Sequence, residues 1–172
     1  DAIPAHARRS MVGGGTRGGP LLVRGKGCWV EDIDGRKYLD CTSQSWALYL
    51  GYANDAINAI VSQHMQNLSH VHQGFDTLPR FALAKKLAEL APRGLDRVSF
   101  TVGGGPAVEA AMKLARKATG RPIIAAFTNG FHGMTLGSLA VTGSRASRRG
   151  AYASLQDVIR FPYDGYFGPE MD

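Results

Sequence analysis

Gly103, Gly104 and Gly105 stand between a short apolar run and a helical pattern, in Val98-Ser99-Phe100-Thr101-Val102-Gly103-Gly104-Gly105-Pro106-Ala107-Val108-Glu109. That spacing suits an anion. The first N–H groups of a helix have no partner within it, and the helix dipole favours negative charge there. Glycine lets a ligand approach the backbone. Pro106 fits the first helical position, where an N–H would be unpaired in any case. The corresponding chemistry is a cradle for a phosphate-bearing ligand. On these residues alone a flexible turn before a helix explains the glycines equally well, because Gly103–Gly105 belong to neither a G-x-x-x-x-G-K-[ST] nor a G-x-G-x-x-G.

Other reactive side chains are sparse. Glu109 lies one turn further along the same helix, facing away from a phosphate at its start, and a structural role is expected. His70 and His72 point the same way if His70-Val71-His72 is a strand, but no third ligand is near and no metal site is expected. The lysines are Lys26, Lys37, Lys85, Lys86, Lys113 and Lys117. A nucleophilic lysine needs a desolvated or cation-rich setting, and the pattern puts all six on solvated surfaces.

The elements that would position these residues follow from periodicity. Residues 1–20 read as an irregular, glycine- and arginine-rich arm. In Cys28–Asp40 two alternating segments flank Asp34-Gly35, which predicts a hairpin. Apolar residues at Ile57, Ile60, Val61, Met65 and Leu68 predict a helix over 53–68, with Asn54 as its cap. Residues 80–91 form a second helix, with Phe81, Leu83, Ala84, Leu87 and Leu90 expected to be buried, and Pro92 and Gly94 stop it. A buried strand is expected over 97–102. A third helix runs from about Pro106 to Ala118 with Gly120 after it. A strand is expected over 123–127, a helix over 135–141 and a strand over 158–161. Helix and strand in alternation, with apolar strands, predict an α/β fold with a parallel sheet. A ligand then belongs at the carboxyl ends of the strands, where Gly103–Gly105 and Asn129–Gly133 would converge.

Composition sets outer limits. At 172 residues and 44% hydrophobic, the chain suits one domain with a core rather than disorder. The formal charge of +6 arises partly from Arg8-Arg9 and from Arg145, Arg148 and Arg149 among small residues. A solvated loop is expected there, and no nucleic-acid partner, because no aromatic platform accompanies the charge. Cys28 and Cys41 form no C-x-x-C and are expected as buried free thiols in a reducing cytoplasm. There is no apolar run for a membrane span and no signal-peptide core.

Several segments together resemble a known family. Gly27–Asp40, Leu50-Gly51-Tyr52, Phe100–Arg116 and Phe131-His132-Gly133-Met134-Thr135-Leu136-Gly137 are similar to an opening hairpin, a Leu-Gly-His/Tyr turn, a phosphate loop with its helix, and an aromatic-His-Gly motif. They are those of the class III (ω-amino acid) aminotransferases, which use pyridoxal 5'-phosphate (PLP). Nearly the whole chain resembles the N-terminal part of that family. From Phe127 onward, in Phe131–Gly143 and Pro162–Gly168, the likeness is to the diaminobutyrate–2-oxoglutarate aminotransferase subgroup. Trp46, three residues ahead of Tyr49, instead resembles the ω-amino acid:pyruvate transaminases.

The resemblance implies fold type I: an N-terminal arm and hairpin segment (1–52), then the beginning of the large domain with its mixed, mostly parallel sheet (53–172). It implies that Gly104 and Gly105 offer backbone N–H groups to the PLP phosphate, that Phe131 stacks on the pyridine ring with His132 beside it, and that Ser43, Gln44 and Trp46 line the substrate pocket. Trp46 as plain core is the competing reading. The implied reaction moves a terminal amino group from a diamino acid or ω-amino acid to a keto acid, in a cytoplasmic homodimer.

Some positions depart from the family. Gly103-Gly104-Gly105-Pro106 replaces a stretch that often carries hydroxyls and an acidic residue or asparagine. Each lost bond to a charged group is worth about 1.5–3 kcal/mol, so weaker phosphate binding is expected. Met134 stands where acetylornithine-type members have an arginine, against that subgroup. The family's Schiff-base lysine, and the aspartate that pairs with the pyridinium nitrogen, both follow later strands, and no lysine here matches the catalytic position. By itself the chain is therefore expected to be inactive. It would be a fragment of a longer enzyme, one piece of a split enzyme completed by a companion chain, or a non-catalytic relative; the first is preferred. A nucleotide-binding domain is the outside alternative, disfavoured because an acidic residue for a ribose and a Walker lysine are both missing.

Overall fold

The structure is a computed structural model that describes residues 19–143 and 157–163. The described residues form two compact units, one ending at Asp76 and the other starting at Thr77. The arginine-rich stretches at 8–9 and 145–149, and the arm up to residue 18, lie outside the described residues.

In the first unit the expected hairpin is present and gains a third strand. β1 (Leu22–Lys26), β2 (Trp29–Asp32) and β3 (Lys37–Leu39) form an antiparallel sheet in that order. The turn is built by Asp32, whose carboxylate accepts the N–H of Asp34 at 3.0 Å and of Arg36 at 2.9 Å, and the Tyr38 hydroxyl at 2.7 Å. Gly35 supplies the left-handed residue at φ +81°. A single turn, α1 (Ser43–Trp46), follows, then α2 (Asp55–Asn67). The Asn54 side chain accepts the Ile57 N–H at 3.2 Å, the expected cap. Lys26 ties sheet to helix through Ala53 O at 2.8 Å and Asp55 Oδ1 at 2.6 Å.

Gly27 and Tyr52 close the unit with two backbone bonds, 3.0 and 2.8 Å long. Gly51 makes this possible. It sits at φ +75°, and a Cβ there would lie 2.8 Å from Gly27 O. Gly27 itself is at φ +57° but faces open space. Gly51→Ala is therefore expected to open the bridge and cost about 2–3 kcal/mol through strain and overlap, and Gly27→Ala about 1–2 kcal/mol through conformation alone. Denaturant melts of the two variants check the order.

The second unit holds α3 (Leu78–Leu90), α4 (Gly104–Thr119), β4 (Ile124–Phe127), α5 (Leu136–Val141) and β5 (Val158–Phe161). β4 and β5 pair in parallel from Ile124↔Val158 to Phe127↔Phe161, as expected for an α/β arrangement. Gly120 ends α4 at φ +69°. The core sits where α5 packs on α4 and β4. Leu139, Ala140, Val141 and Ala126 are buried there, with Ser138 and Thr142 fully enclosed. No helix among the described residues is long and apolar enough to cross a membrane.

Four expectations are corrected. Residues 97–102 form no strand: a strand needs a hydrogen-bonded neighbour, and no described segment pairs with this one. Arg80 instead lies over the Phe100 ring, 5.9 Å from its centre. Phe81, Leu83, Leu87 and Leu90 of α3 are exposed and Ala84 half-buried, because no described element of their unit packs closely on that face. Cys28 and Cys41 are exposed, one in the turn before β2 and the other in the bend after β3. His70-Val71-His72 is irregular rather than a strand, and the His72 Nδ1 accepts the Gly74 N–H at 3.1 Å.

Candidate functional site

The second unit places the glycine cradle inside the helix rather than before it. Gly103 is the N-cap, and Gly104 and Gly105 are the first two helical residues. Pro106 is therefore third rather than first, still among the positions whose N–H has no helical acceptor. The first bond of the helix runs from Ala107 N to Gly103 O at 3.0 Å. Among the described residues nothing accepts the N–H of Gly104 or Gly105. A Cβ on Gly104 would meet nothing within 4 Å, so the approach to these donors is open.

A second loop comes up against this helix start. After β4 the chain turns at Asn129, φ +61°. Gly143 N donates to Gly130 O at 2.7 Å, and His132 N to Thr142 Oγ1 at 3.1 Å. These bonds clamp the loop onto the end of the buried α5. A Cβ on Gly133 would fall 2.9 Å from the Gly105 Cα, so the two backbones touch. Phe131 presents an exposed ring, and the His132 imidazole lies over Gly130, whose Cβ would come 3.0 Å from its Nε2. Gly105, Phe131 and His132 thus belong to two adjoining pieces of backbone, although the strand expected ahead of Gly103 is not formed.

Glu109 holds the two pieces together. Its Oε1 accepts the Thr135 hydroxyl at 2.7 Å, the Gly137 N–H at 2.8 Å and the Ser138 N–H at 3.2 Å. A carboxylate of α4 thereby caps α5. Thr135 and Ser138 cap the same turn reciprocally. The Thr135 hydroxyl, chiefly, keeps the Glu109 carboxyl below its ordinary value. The expected structural role is present, with a consequence for the site: Glu109 fixes the glycine helix to the loop of Phe131 and His132. The missed cue is Thr135-x-x-Ser138, a capping pattern.

Ser43, Gln44 and Trp46 lie in the first unit, on α1, and the turn is left-handed. Ser43, Gln44, Ser45 and Trp46 have φ of 47°, 51°, 61° and 64°. This conformation costs an L-residue about 1–2 kcal/mol, and such strain gathers at functional sites. Trp46 is 75% exposed among the described residues. Asp40 gathers the turn. Its carboxylate accepts the Thr42 N–H and hydroxyl, both at 2.9 Å, the Gln44 N–H at 3.2 Å, the Gln44 amide at 3.3 Å and the Tyr52 hydroxyl at 2.8 Å. These donors, the Thr42 N–H first, hold the Asp40 carboxyl well below the ordinary carboxylate range. All six lysines are on the surface, as expected.

Known proteins resemble this chain in sequence and fold. The pattern of the family described as Aminotransferase class-III matches residues 17–172. The diaminobutyrate–2-oxoglutarate transaminase of Nocardia farcinica is 43% identical over 165 residues, which are 92% of this chain and 38% of that protein. The acetylornithine aminotransferase of Archaeoglobus fulgidus is 39% identical over 78% of this chain and 35% of its own length. The chain thus spans little more than a third of these relatives. The crystal structure of the Pseudomonas jessenii omega transaminase in complex with PMP superposes with a TM-score of 0.84 at 25% identity, over 95% of this chain and 39% of that one. The fold is the mixed α/β N-terminal segment of fold type I transaminases. The chain belongs to the class III aminotransferases.

Proposed function

We propose that this chain forms the N-terminal part of a PLP-dependent aminotransferase. Family membership supports the chemistry. The observation that carries the cofactor reading is the pair of unpartnered N–H groups, Gly104 and Gly105, at the start of α4 and against the loop of Phe131. Those residues fit a phosphate, with backbone donors and the helix dipole but no hydroxyl among residues 103–106. PLP, when bound, supplies the electron sink for breaking bonds at the amine-bearing carbon. In this reading Gly104 and Gly105 would hold its phosphate, Phe131, with His132 beside it, would stack on its ring, and Ser43, Gln44 and Trp46 would line the substrate pocket. Residues 1–52 are the arm and hairpin segment, and 53–172 the start of the large domain.

The substrates in this reading are a terminal amine, such as that of diaminobutyrate, and a keto acid. The Nocardia relative supports the donor class, and Met134 in place of an arginine separates the site from the acetylornithine type. The Schiff-base lysine and the pyridinium aspartate come from the C-terminal remainder or from a companion chain. The exposed apolar stripes of α2 and α3 support further protein over them, including the second copy of a homodimer. The free thiols of Cys28 and Cys41 fit a reducing, cytoplasmic setting.

The test is the intact mass of the native protein with an absorbance scan before and after borohydride. A mass larger than 172 residues, or a companion chain, with a near-visible band that borohydride fixes to a lysine outside this sequence, is the expected result. A mass of 172 residues with no companion and no band defeats the reading in favour of a non-catalytic relative.

A further inference from the structure

The hand of α1 needs a cause. None of Ser43, Gln44, Ser45 and Trp46 is glycine or asparagine, the residues that accept left-handed backbone most readily. The bonds that close the turn, Trp46 N to Thr42 O at 2.8 Å and Ala47 N to Ser43 O at 3.0 Å, span four residues and close a right-handed turn equally well. They do not select the hand. The bonds to Asp40 do, because they fix where the Gln44 N–H points relative to that of Thr42. Asp40 is itself anchored. It follows β3, its N–H donates to Cys28 O at 2.9 Å, and its Oδ2 accepts the Tyr52 hydroxyl. Tyr52 is in turn pinned by its two backbone bonds to Gly27 and by its ring on β1, where a Cβ on Gly25 would come 2.7 Å from the Tyr52 Cγ. The support runs from β1 through Tyr52 and Asp40 to Gln44, whose amide also donates to the Tyr52 oxygen.

We propose that Asp40 is a positioning residue for the substrate pocket: by binding Thr42, Gln44 and Tyr52 it holds α1 left-handed, and so sets the places of Ser43, Gln44 and Trp46. The proposal rests on the reading of α1 as pocket lining. Asp40 touches no reacting atom in it. Its carboxylate selects one of two hands for a turn that would otherwise relax.

The experiment compares Asp40→Asn, the double variant Asp40→Asn/Ser45→Gly, and Trp46→Ala in the native holoenzyme. Two quantities are read, steady-state constants for the amine donor and hydrogen exchange of the amides from Trp46 to Leu48. Asp40→Asn is expected to speed that exchange about tenfold and to raise the donor KM about tenfold, with a much smaller change in kcat and an unchanged cofactor band. Ser45→Gly, which takes the left-handed backbone at no steric cost, is expected to recover most of both losses. General destabilisation would not be repaired by a glycine.

Unchanged exchange in Asp40→Asn overturns the proposal, as does a double variant no better than the single one. In those cases a raised KM in Trp46→Ala still upholds the pocket reading. An unchanged donor KM in Trp46→Ala and Asp40→Asn together removes α1 from the pocket, and the proposal falls with that reading. Should Asp40→Asn not fold, Tyr52→Phe keeps the carboxylate and removes one donor. A smaller shift of exchange and KM in the same direction is then expected, and no shift in either overturns the proposal.

Discussion

Gly133→Ala is expected, on the proposed PLP reading of the site, to abolish most cofactor binding in the native protein. Gly133 sits at φ +139°, and an added Cβ would lie 2.4 Å from the Ser138 Oγ and 2.9 Å from the Gly105 Cα. Neither neighbour is a flexible tip. Ser138 is fully buried, and the Gly105 Cα is backbone in the first turn of α4. Relief has to come from moving the loop away from the helix, which separates Phe131 from the N–H groups of Gly104 and Gly105. Overpacking and left-region strain together cost about 2–4 kcal/mol. A comparable loss of binding energy raises the PLP dissociation constant about 30-fold or more. Equilibrium dialysis against PLP measures it. Wild-type affinity and an unshifted melting point in Gly133→Ala would mean that the two backbones do not touch.

The second large effect is expected at Glu109. Glu109→Ala leaves the Gly137 and Ser138 N–H groups and the Thr135 hydroxyl without their shared acceptor, next to a fully buried Ser138. Charge-assisted bonds at a half-buried site predict a loss of about 1–3 kcal/mol in stability. Glu109→Gln keeps an acceptor oxygen and should lose less. The pH dependence separates charge from packing. The folded-state carboxyl lies below its ordinary value of 4.5. Its contribution is therefore complete above that value and disappears as pH falls through the lower, folded-state value. Urea melts should show wild type ahead of Glu109→Gln at pH 7, with the gap closing as the pH is taken below 4.5. A gap of constant size would assign the effect to packing.

Local chemistry made much of this fold legible. Asp34-Gly35 marked the hairpin, Asn54 the start of α2, Pro92 the end of α3 and Gly120 the end of α4, because each acts through its own neighbours. The strand expected over 97–102 shows the limit. An apolar run does not carry its own hydrogen-bonding partner, and the described residues supply none. The same holds for α3: periodicity marked its apolar stripe, but burial depends on what covers it. In the site, the glycine helix and the loop after β4 were readable from composition and order. The hand of α1 was not, since serine, glutamine and tryptophan have no preference for it and Asp40 imposes it from outside the turn. The Glu109 clip was not readable either, because its partners Thr135, Gly137 and Ser138 lie far along the chain. Only the capping pattern at Thr135 and Ser138 hinted that α5 begins there.

The two sheets also differ in when a growing chain is able to finish them. β1, β2 and β3 follow one another through short turns, and the Gly27–Tyr52 bridge closes soon after. Their loop-closure cost is small, so this unit is complete early in synthesis. β4 pairs in parallel with β5, and among the described residues it has no other strand beside it. Its edge stays open until Val158–Phe161 has emerged from the ribosome, which follows the emergence of α4 and α5. A pause between these two events leaves Ile124–Phe127 as an unpaired apolar edge. One vulnerable interval in the making of this protein falls between β4 and β5, well after the hairpin is complete.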